Sequence, residues 1–171
     1  MADNLKTIKC PACQSEMAKV FVPSAGVNVD ICRNCGGVYF DNREFVNFDE
    51  QHENIDEIVE ALQNTDFKPV DENLTRYCPV CGAKMVKNYS SIKKQIQVDE
   101  CYACGGKFLD NNELERIRSE YKNEAERSAD TIKVLYDTVG GELRALDEEN
   151  AHLKASRSSL KKLFDKMVYG R

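Results

Sequence analysis

The stretch CGGVYFDNREF, residues 35–45, returns as CGGKFLDNNEL at residues 104–114, and this repeat decides the fold of the 171-residue chain. The cysteine that begins each stretch is the second cysteine of a CxxC pair. An earlier pair, CPAC at residues 10–13, returns as CPVC at residues 78–81. The matching cysteines lie 68 or 69 residues apart. The sequence is therefore an internal duplication, with one residue inserted in the loop of the second copy.

The eight cysteines form four CxxC pairs, two in each copy. A CxxC turn holds two sulfurs about 3.5–4 Å apart, close to the edge of a zinc–thiolate tetrahedron, so two turns complete a closed structural site. Eighteen residues separate the pairs of the first copy and nineteen those of the second, which is room for a hairpin. We predict two Zn²⁺ ions, one bound by Cys10, Cys13, Cys32 and Cys35 and the other by Cys78, Cys81, Cys101 and Cys104.

Disulfides, redox dithiols and iron are the other uses of such pairs. Disulfides need an oxidising compartment, whereas residues 1–9 lack the apolar core of a secretory signal and favour a cytoplasmic protein with reduced thiols. A thioredoxin-like dithiol lies where a strand meets a helix of an α/β domain, and no such alternation surrounds these pairs. Iron in a rubredoxin-like site uses the same four thiolates, so the sequence leaves iron open beside zinc.

Apolar residues alternate between the two cysteine pairs of each copy. In the first copy the alternation covers residues 18–22 and 27–31, on either side of a turn at residues 23–26. The second copy repeats it around residues 85–86 and 96–98. This pattern predicts one β-hairpin in each copy.

In each copy, a short apolar stretch that contains an aromatic residue follows the double glycine, and a pair of acidic residues follows that stretch. We expect Tyr39, Phe40, Phe108 and Leu109 to lie on short strands, where they cover the metal and form the small core of each copy. Asp41 with Glu44, and Asp110 with Glu113, have the spacing of a helix capping box. Each strand should therefore lead into a helix.

A glycine follows the last cysteine of three of the four CxxC turns, which we call knuckles. At Gly36, Gly82 and Gly105 a positive φ would let backbone amides point at the sulfurs. Gln14 occupies the fourth position, where a residue other than glycine is strained or takes a different turn. The first metal site should therefore be slightly less ideal than the second.

We predict an α+β fold of two small β zinc ribbons joined by an acidic helical linker and followed by a helical, coiled-coil region. Small pieces of this kind bury little apolar surface, so zinc binding must supply the missing folding free energy. A structural zinc site contributes roughly 10–16 kcal/mol of apparent folding free energy. The predicted segments are ribbon 1 (residues 1–48), the linker (49–75), ribbon 2 (76–118) and a carboxyl-terminal region with a basic end (119–171).

Helical periodicity marks the linker and the carboxyl-terminal third. Residues 54–63 place apolar side chains at helical spacing and predict a short acidic helix. From Val139 the apolar stripe follows heptad spacing, and Asn150 within it is typical of a parallel dimer. At Gly140–Gly141 we expect a break or hinge, because each glycine costs roughly 1 kcal/mol in a helix. The alternatives are self-association through residues 141–167 or helices that fold back on each other or on ribbon 2.

The formal net charge is −5, and two loaded four-thiolate sites would bring it to about −9. This acidity disfavours nonspecific binding to phosphate backbones. The exception is the segment 152–171, a basic amphipathic stretch that could meet an anionic partner. No apolar run approaches the length that spans a bilayer.

The two copies resemble the bacterial transcription factor IIB-type zinc-finger family, whose pattern is CPxCG, a hairpin, then CxxCGG, an aromatic step, Asp and Glu. The resemblance covers roughly residues 10–45 and 78–114 and implies zinc bound by the eight cysteines, without implying an activity. The family usually has tryptophan where this chain has Tyr39 and Phe108, and glycine where it has Gln14. These departures concern packing near the sites and leave the ligands intact.

We expect a cytoplasmic, non-enzymatic zinc-ribbon adaptor that binds a protein partner, in transcription or translation, while its helices dimerise or dock. Both histidines, His52 and His152, lie far from any cysteine pair along the chain, and no constellation of nucleophile, base and acid is visible. A third class, metal storage or thiol redox sensing, requires zinc to leave under mild oxidant. The alternative is a nucleic-acid-binding protein that uses the basic end together with the ribbon 2 lysines Lys84, Lys87, Lys93 and Lys94.

Overall fold

The computed structural model describes residues 6–41, 44–63 and 66–169. Parts of the predicted segments lie outside the described residues, namely 1–5, 42–43, 64–65 and 170–171. The same holds for some side chains of the predicted heptad stripe and basic end, those of residues 142–144, 146–147, 161–162 and 164–169. The chain divides into two compact units, Met1–Arg127 and Ser128–Arg171.

Both predicted hairpins form, and a short strand follows each double glycine. The α+β fold class is therefore confirmed, with each hairpin built from two antiparallel strands. The strands are β1 (Ala18–Val22), β2 (Val27–Ile31), β3 (Val38–Phe40), β4 (Val86–Tyr89), β5 (Gln97–Glu100) and β6 (Lys107–Leu109).

The two ribbons share one six-stranded sheet, in the order β1-β2-β3-β6-β5-β4. They meet where β3 pairs antiparallel with β6, and Tyr39 stands opposite Phe108 at the centre of this pairing. The register is symmetric about that pair, since Val38 faces Leu109 and Phe40 faces Lys107. This pairing joins both hairpins into one sheet with a common interior, a feature that the prediction of two small ribbons did not include.

Helices cover one face of this sheet. They are α1 (Asp56–Leu62), α2 (Glu113–Glu120) and a 3₁₀ turn at Glu44–Asn47. Their apolar residues join side chains from five of the six strands, or from the segments beside them, in one buried cluster: Val22, Val29, Ile31, Val38, Phe40, Phe45, Phe48, Ile58, Ile96, Val98, Leu109, Leu114 and Ile117. Since this cluster draws on both ribbons, burial of apolar area stabilises them together.

The opposite face carries the cysteine knuckles. A second buried cluster there combines five of the cysteines with Tyr39 and Phe108, which point away from the helices because neighbouring residues of a strand face opposite sides. Ile8, Met17 and Met85 complete its buried members. The sheet therefore separates an apolar helix-covered core from a sulfur-rich layer.

The predicted helix starts are only partly correct. The Glu113 carboxylate accepts a hydrogen bond of 2.7 Å from the Asp110 amide, and Glu44 accepts one of 3.1 Å from the Asp41 amide, as in a capping box. The residue that caps α2 is Asn112, however, in the left-handed conformation with φ of 65°. The linker helix is confirmed, with α1 lying inside the predicted residues 54–63.

The last helix, α3, runs without interruption through Glu124–Tyr169, a length of 46 residues. The expected break at Gly140–Gly141 is wrong, because both glycines are helical. Good helix formers follow them at residues 142–146, and extending an existing helix costs less than nucleating a new one. Among the described residues no helix, α3 included, combines the length and the apolar character needed to cross a membrane.

Candidate metal centres

The eight predicted ligands come together in two groups of four. Within each group all four Sγ atoms lie within 4.8 Å of one another. In site 1, Cys10 is 3.5 Å from Cys35 and Cys13 is 3.4 Å from Cys32. In site 2 the matching separations are 3.5 Å for Cys78 to Cys104 and 3.4 Å for Cys81 to Cys101.

These separations fit a tetrahedral ion. Four sulfurs at about 2.3 Å from zinc lie about 3.8 Å apart along the edges of the tetrahedron. A disulfide would need sulfurs about 2.05 Å apart, and all eight cysteines are free. The two groups are thus consistent with two Zn²⁺ ions, each with four protein ligands and no position left for water.

Comparison with known proteins agrees with this geometry. Residues 9–48 and 77–120 each match the family model described as transcription factor zinc-finger. Both ribbons are zinc ribbons of this family. No curated protein and no solved structure matches the chain. The zinc-ribbon matches cover the two sites, whereas α1 and the whole of α3 lie outside them.

Each zinc-ribbon knuckle closes on a backbone hydrogen bond from the residue after the second cysteine to the carbonyl of the first, at 2.7–2.9 Å. The predicted positive φ is confirmed at Gly36, Gly82 and Gly105, with values of 76°, 74° and 81°. This turn aims amides at sulfur. At Cys101, burial raises the pKa, but the backbone amide of Cys104 and the neighbouring Cys81 sulfur outweigh burial and lower the pKa to about 7.

Gln14 takes the same turn at a steric cost, since its φ is 62°. Its side-chain amide Nε2 donates to the carbonyl of Cys10 at 3.2 Å, which ties the side chain back onto its own knuckle. The strain expected at this position is present in the backbone. It does not widen site 1, whose paired sulfur distances equal those of site 2.

The two sites differ in exposure. In site 1, three of the four cysteines are buried and Cys13 is half-buried. In site 2, Cys78 and Cys101 are buried, Cys104 is half-buried and Cys81 is exposed to solvent. Site 2 is thus the more accessible to a chelator or an oxidant.

Of the four residues predicted to cover the metal, Tyr39 and Phe108 lie with the cysteines. The prediction is wrong for Phe40 and Leu109, which alternate to the helix-covered face and join the apolar core there. Tyr39 reaches the site of the opposite ribbon. Its hydroxyl lies 3.2 Å from the Cys78 sulfur of ribbon 2. Burial and the neighbouring Cys78 raise the pKa of Tyr39, so the hydroxyl keeps its proton and can donate it to a thiolate. A contact across a duplication has no signature in sequence periodicity.

Arg76 is a structural residue that the sequence analysis missed. Its guanidinium is buried, with Nη1 at 2.7 Å from Asp99 and Nη2 at 2.9 Å from Asp110. The guanidinium also lies over the Phe108 ring, 5.0 Å from the centroid. The matching position of ribbon 1 is Ile8. A charged residue at the position of an apolar one in the other copy is the sequence feature that could have indicated a buried ion pair.

Two of the four lysines proposed for nucleic acid are engaged within ribbon 2. Lys87 lies 3.3 Å from Asp99, and Lys93 donates to the Glu120 carbonyl at 2.8 Å while it covers the Tyr121 ring. Lys84 and Lys94 are exposed. His52 and His152 are also exposed, as surface residues would be.

Proposed function

We propose that the protein is a non-enzymatic adaptor, in which the zinc-stabilised sheet is a rigid platform and α3 is the helix through which the chain self-associates. Zinc binding itself follows from the family and from the two cysteine groups. The observation that carries the proposal is a long helix with exposed apolar side chains at heptad positions.

The non-enzymatic part is supported by the coordination. Four protein thiolates satisfy a tetrahedral ion, whereas catalytic zinc sites keep one position for water or substrate. The exposed histidines add nothing to either centre: His52 pairs with Glu50 at 3.0 Å. A purely structural role for both ions is the simplest use of this geometry.

The heptad stripe of α3 begins before Val139. Counting back and forward from that residue at steps of three and four places Ile132, Tyr136, Leu153 and Leu160 on the same stripe, and each of these side chains is more than half exposed. Along 46 residues, about 70 Å of helix, such a stripe is unfavourable in water unless another surface covers it.

A second copy of the chain is the partner that fits this stripe. Asn150 occupies a core position, where two asparagines can pair in a parallel dimer and fix its register. In that register Glu149 of one helix stands beside Lys154 of the other, so their charges are complementary. The exposed side chains of all three residues are free to make these contacts with a partner helix.

Light scattering at micromolar concentration tests self-association. The full zinc-loaded chain should give about twice the monomer mass of 19.4 kDa. The double variant Leu153→Lys and Leu160→Lys should give the monomer mass, because it places charges in the stripe. Val134→Lys is the matched control, since Val134 is also exposed but lies off the stripe. A wild-type monomer would overturn the proposal.

The sheet would be left to bind a different protein, in transcription or translation. Ribbon 2 exposes Tyr77, Val80 and Tyr102 beside its cysteines, and aromatic residues are enriched at protein interfaces. Ribbon 1 has Lys9, Ala12 and Arg33 at the matching positions. Affinity capture from the native cell should recover a partner with the wild type and lose it with Tyr77→Ser and Tyr102→Ser. Equal recovery with both baits would reject this surface.

Nucleic-acid binding is the alternative function. The internal contacts of Lys87 and Lys93 leave ribbon 2 with a small basic surface on an acidic chain. A fluorescence titration with RNA and DNA at low salt separates the two functions, because phosphate binding is strongest there. Tight binding that weakens steeply with added salt would favour the alternative.

A further inference from the structure

At the centre of the β3–β6 pairing, each ribbon places one aromatic ring against the backbone of the other ribbon. We call this arrangement the ring exchange. Tyr39 and Phe108 face each other in the β3–β6 register, and both are fully buried. A methyl group on Gly106 would overlap the Tyr39 hydroxyl and come within 2.7 Å of its Cζ atom. A methyl group on Gly37 would overlap the Phe108 ring in the same way. Each ring therefore lies against the double glycine of the other ribbon.

The two rings of this exchange occupy matching positions, but only one of them carries a polar group. Tyr39 carries a hydroxyl that lies 3.2 Å from the Cys78 sulfur and 4.0 Å from the Cys104 sulfur. Phe108 has no polar group to offer to Cys10 and Cys35, the equivalent edge of site 1. Site 2 therefore has a side-chain hydroxyl donor from the other ribbon, whereas the ring placed symmetrically for site 1 is purely apolar.

The direction of the hydrogen bond follows from the charge on sulfur. A zinc-bound cysteine is a thiolate, which accepts hydrogen bonds and has no proton to donate. The hydroxyl must then donate, and it does so from a position closed to water. Donors of this kind stabilise the negative charge on a metal ligand and fix its orientation, and their loss typically costs 10–100-fold in metal affinity.

We propose that Tyr39, a residue of ribbon 1, is a positioning residue for zinc in site 2. Retention of the second ion thereby depends on the strand that the first ribbon contributes, whereas Phe108, the matching residue of ribbon 2, has no hydroxyl to donate to site 1.

Release of zinc from the full, doubly loaded chain to an excess of a coloured chelator tests the proposal. Tyr39→Phe keeps the ring and removes the hydroxyl. It should accelerate release of one ion about tenfold and leave the other ion unchanged. Tyr89→Phe is the matched control, because it removes an exposed hydroxyl from β4 of ribbon 2 and should change neither rate.

Cadmium-113 NMR of the substituted protein gives a second readout that packing alone would not move. Two resonances are expected, and Cys13→Ser identifies that of site 1 by changing its ligand set. Tyr39→Phe should shift the resonance of site 2 and leave that of site 1 in place. Unchanged release together with an unshifted site 2 resonance overturns the proposal, as does an equal acceleration of both ions.

Discussion

The two metal sites have the same sulfur geometry and different surroundings. Site 1 has a strained Gln14 knuckle and three buried ligands. Site 2 has a glycine in both of its knuckles, the exposed Cys81, a buried arginine two residues before Cys78 and a hydroxyl from the other ribbon. After a duplication, the ligands and the strand register are fixed by coordination and pairing, while the residues around them are free to diverge. The two copies therefore have the same set of metal ligands, whereas the residues that surround the ligands differ.

Removal of one cysteine ligand, from site 1 or from site 2, should have the largest effect and should show how the two sites differ. Cys32→Ser and Cys81→Ser should each lower the zinc content from two ions to one, which elemental analysis measures. Calorimetry should show the larger fall in melting temperature for Cys32→Ser, because Cys32 is fully buried and its replacement leaves a polar group in the core. Loss of both ions from Cys81→Ser would show that the sites do not load separately.

Replacement of the buried arginine comes next in size. Arg76→Leu should cost about 3–5 kcal/mol in unfolding free energy, because it leaves Asp99 and Asp110 with less compensation for burial. Chemical denaturation measures this cost. The control is Ile8→Leu at the matching position of ribbon 1, a change of equal volume that should cost less than about 1.5 kcal/mol. Equal effects would mean that Arg76 acts only through its volume.

The glycines beneath the exchanged rings should give intermediate effects. Gly37→Ala and Gly106→Ala should each destabilise the sheet by about 1–3 kcal/mol, because the added methyl group displaces a buried ring. In the Tyr39→Phe background the cost of Gly106→Ala should fall, since part of the overlap is with the hydroxyl. The cost of Gly37→Ala should stay the same. A double-mutant cycle by denaturation measures both, and a change in the second cost would contradict the described exchange.

The smallest effects should come from the knuckle turns and have opposite signs. Gln14→Gly should raise stability by about 1 kcal/mol through relief of the left-handed backbone, less the lost hydrogen bond to the Cys10 carbonyl. Gly82→Ala should lower it by about 1 kcal/mol, because open space surrounds the new methyl group and only the backbone strain remains. Melting curves of the zinc-loaded variants measure both, and equal signs would show that φ does not govern these turns.

Local features were predictable from the sequence because their signals are local. Alternation of apolar residues located both hairpins, and CxxC spacing grouped the eight cysteines as the structure does. The β3–β6 pairing was not predictable, because three-residue strands carry no pattern that selects a partner 69 residues away. The reach of Tyr39 to Cys78 and the burial of Arg76 both depend on that pairing.

The continuity of α3 shows a different limit. Glycine propensity is a weak local preference, and at Gly140–Gly141 it is outweighed by the helix that continues on both sides. The domain boundaries, the non-enzymatic role, the partners and the cytoplasmic location stay predictions, because each depends on what lies outside the described chain.

The symmetric register at Tyr39 and Phe108 has a consequence for anyone who excises one half of the molecule. A lone ribbon would expose the inner edge of β3 or β6, with backbone donors and acceptors that no longer have their partners. Because that edge already matches a near copy of itself across a two-fold axis, the fragment is self-complementary and should form an isologous homodimer. Affinities measured on such fragments would describe this artificial assembly, in which both halves contribute the same aromatic residue.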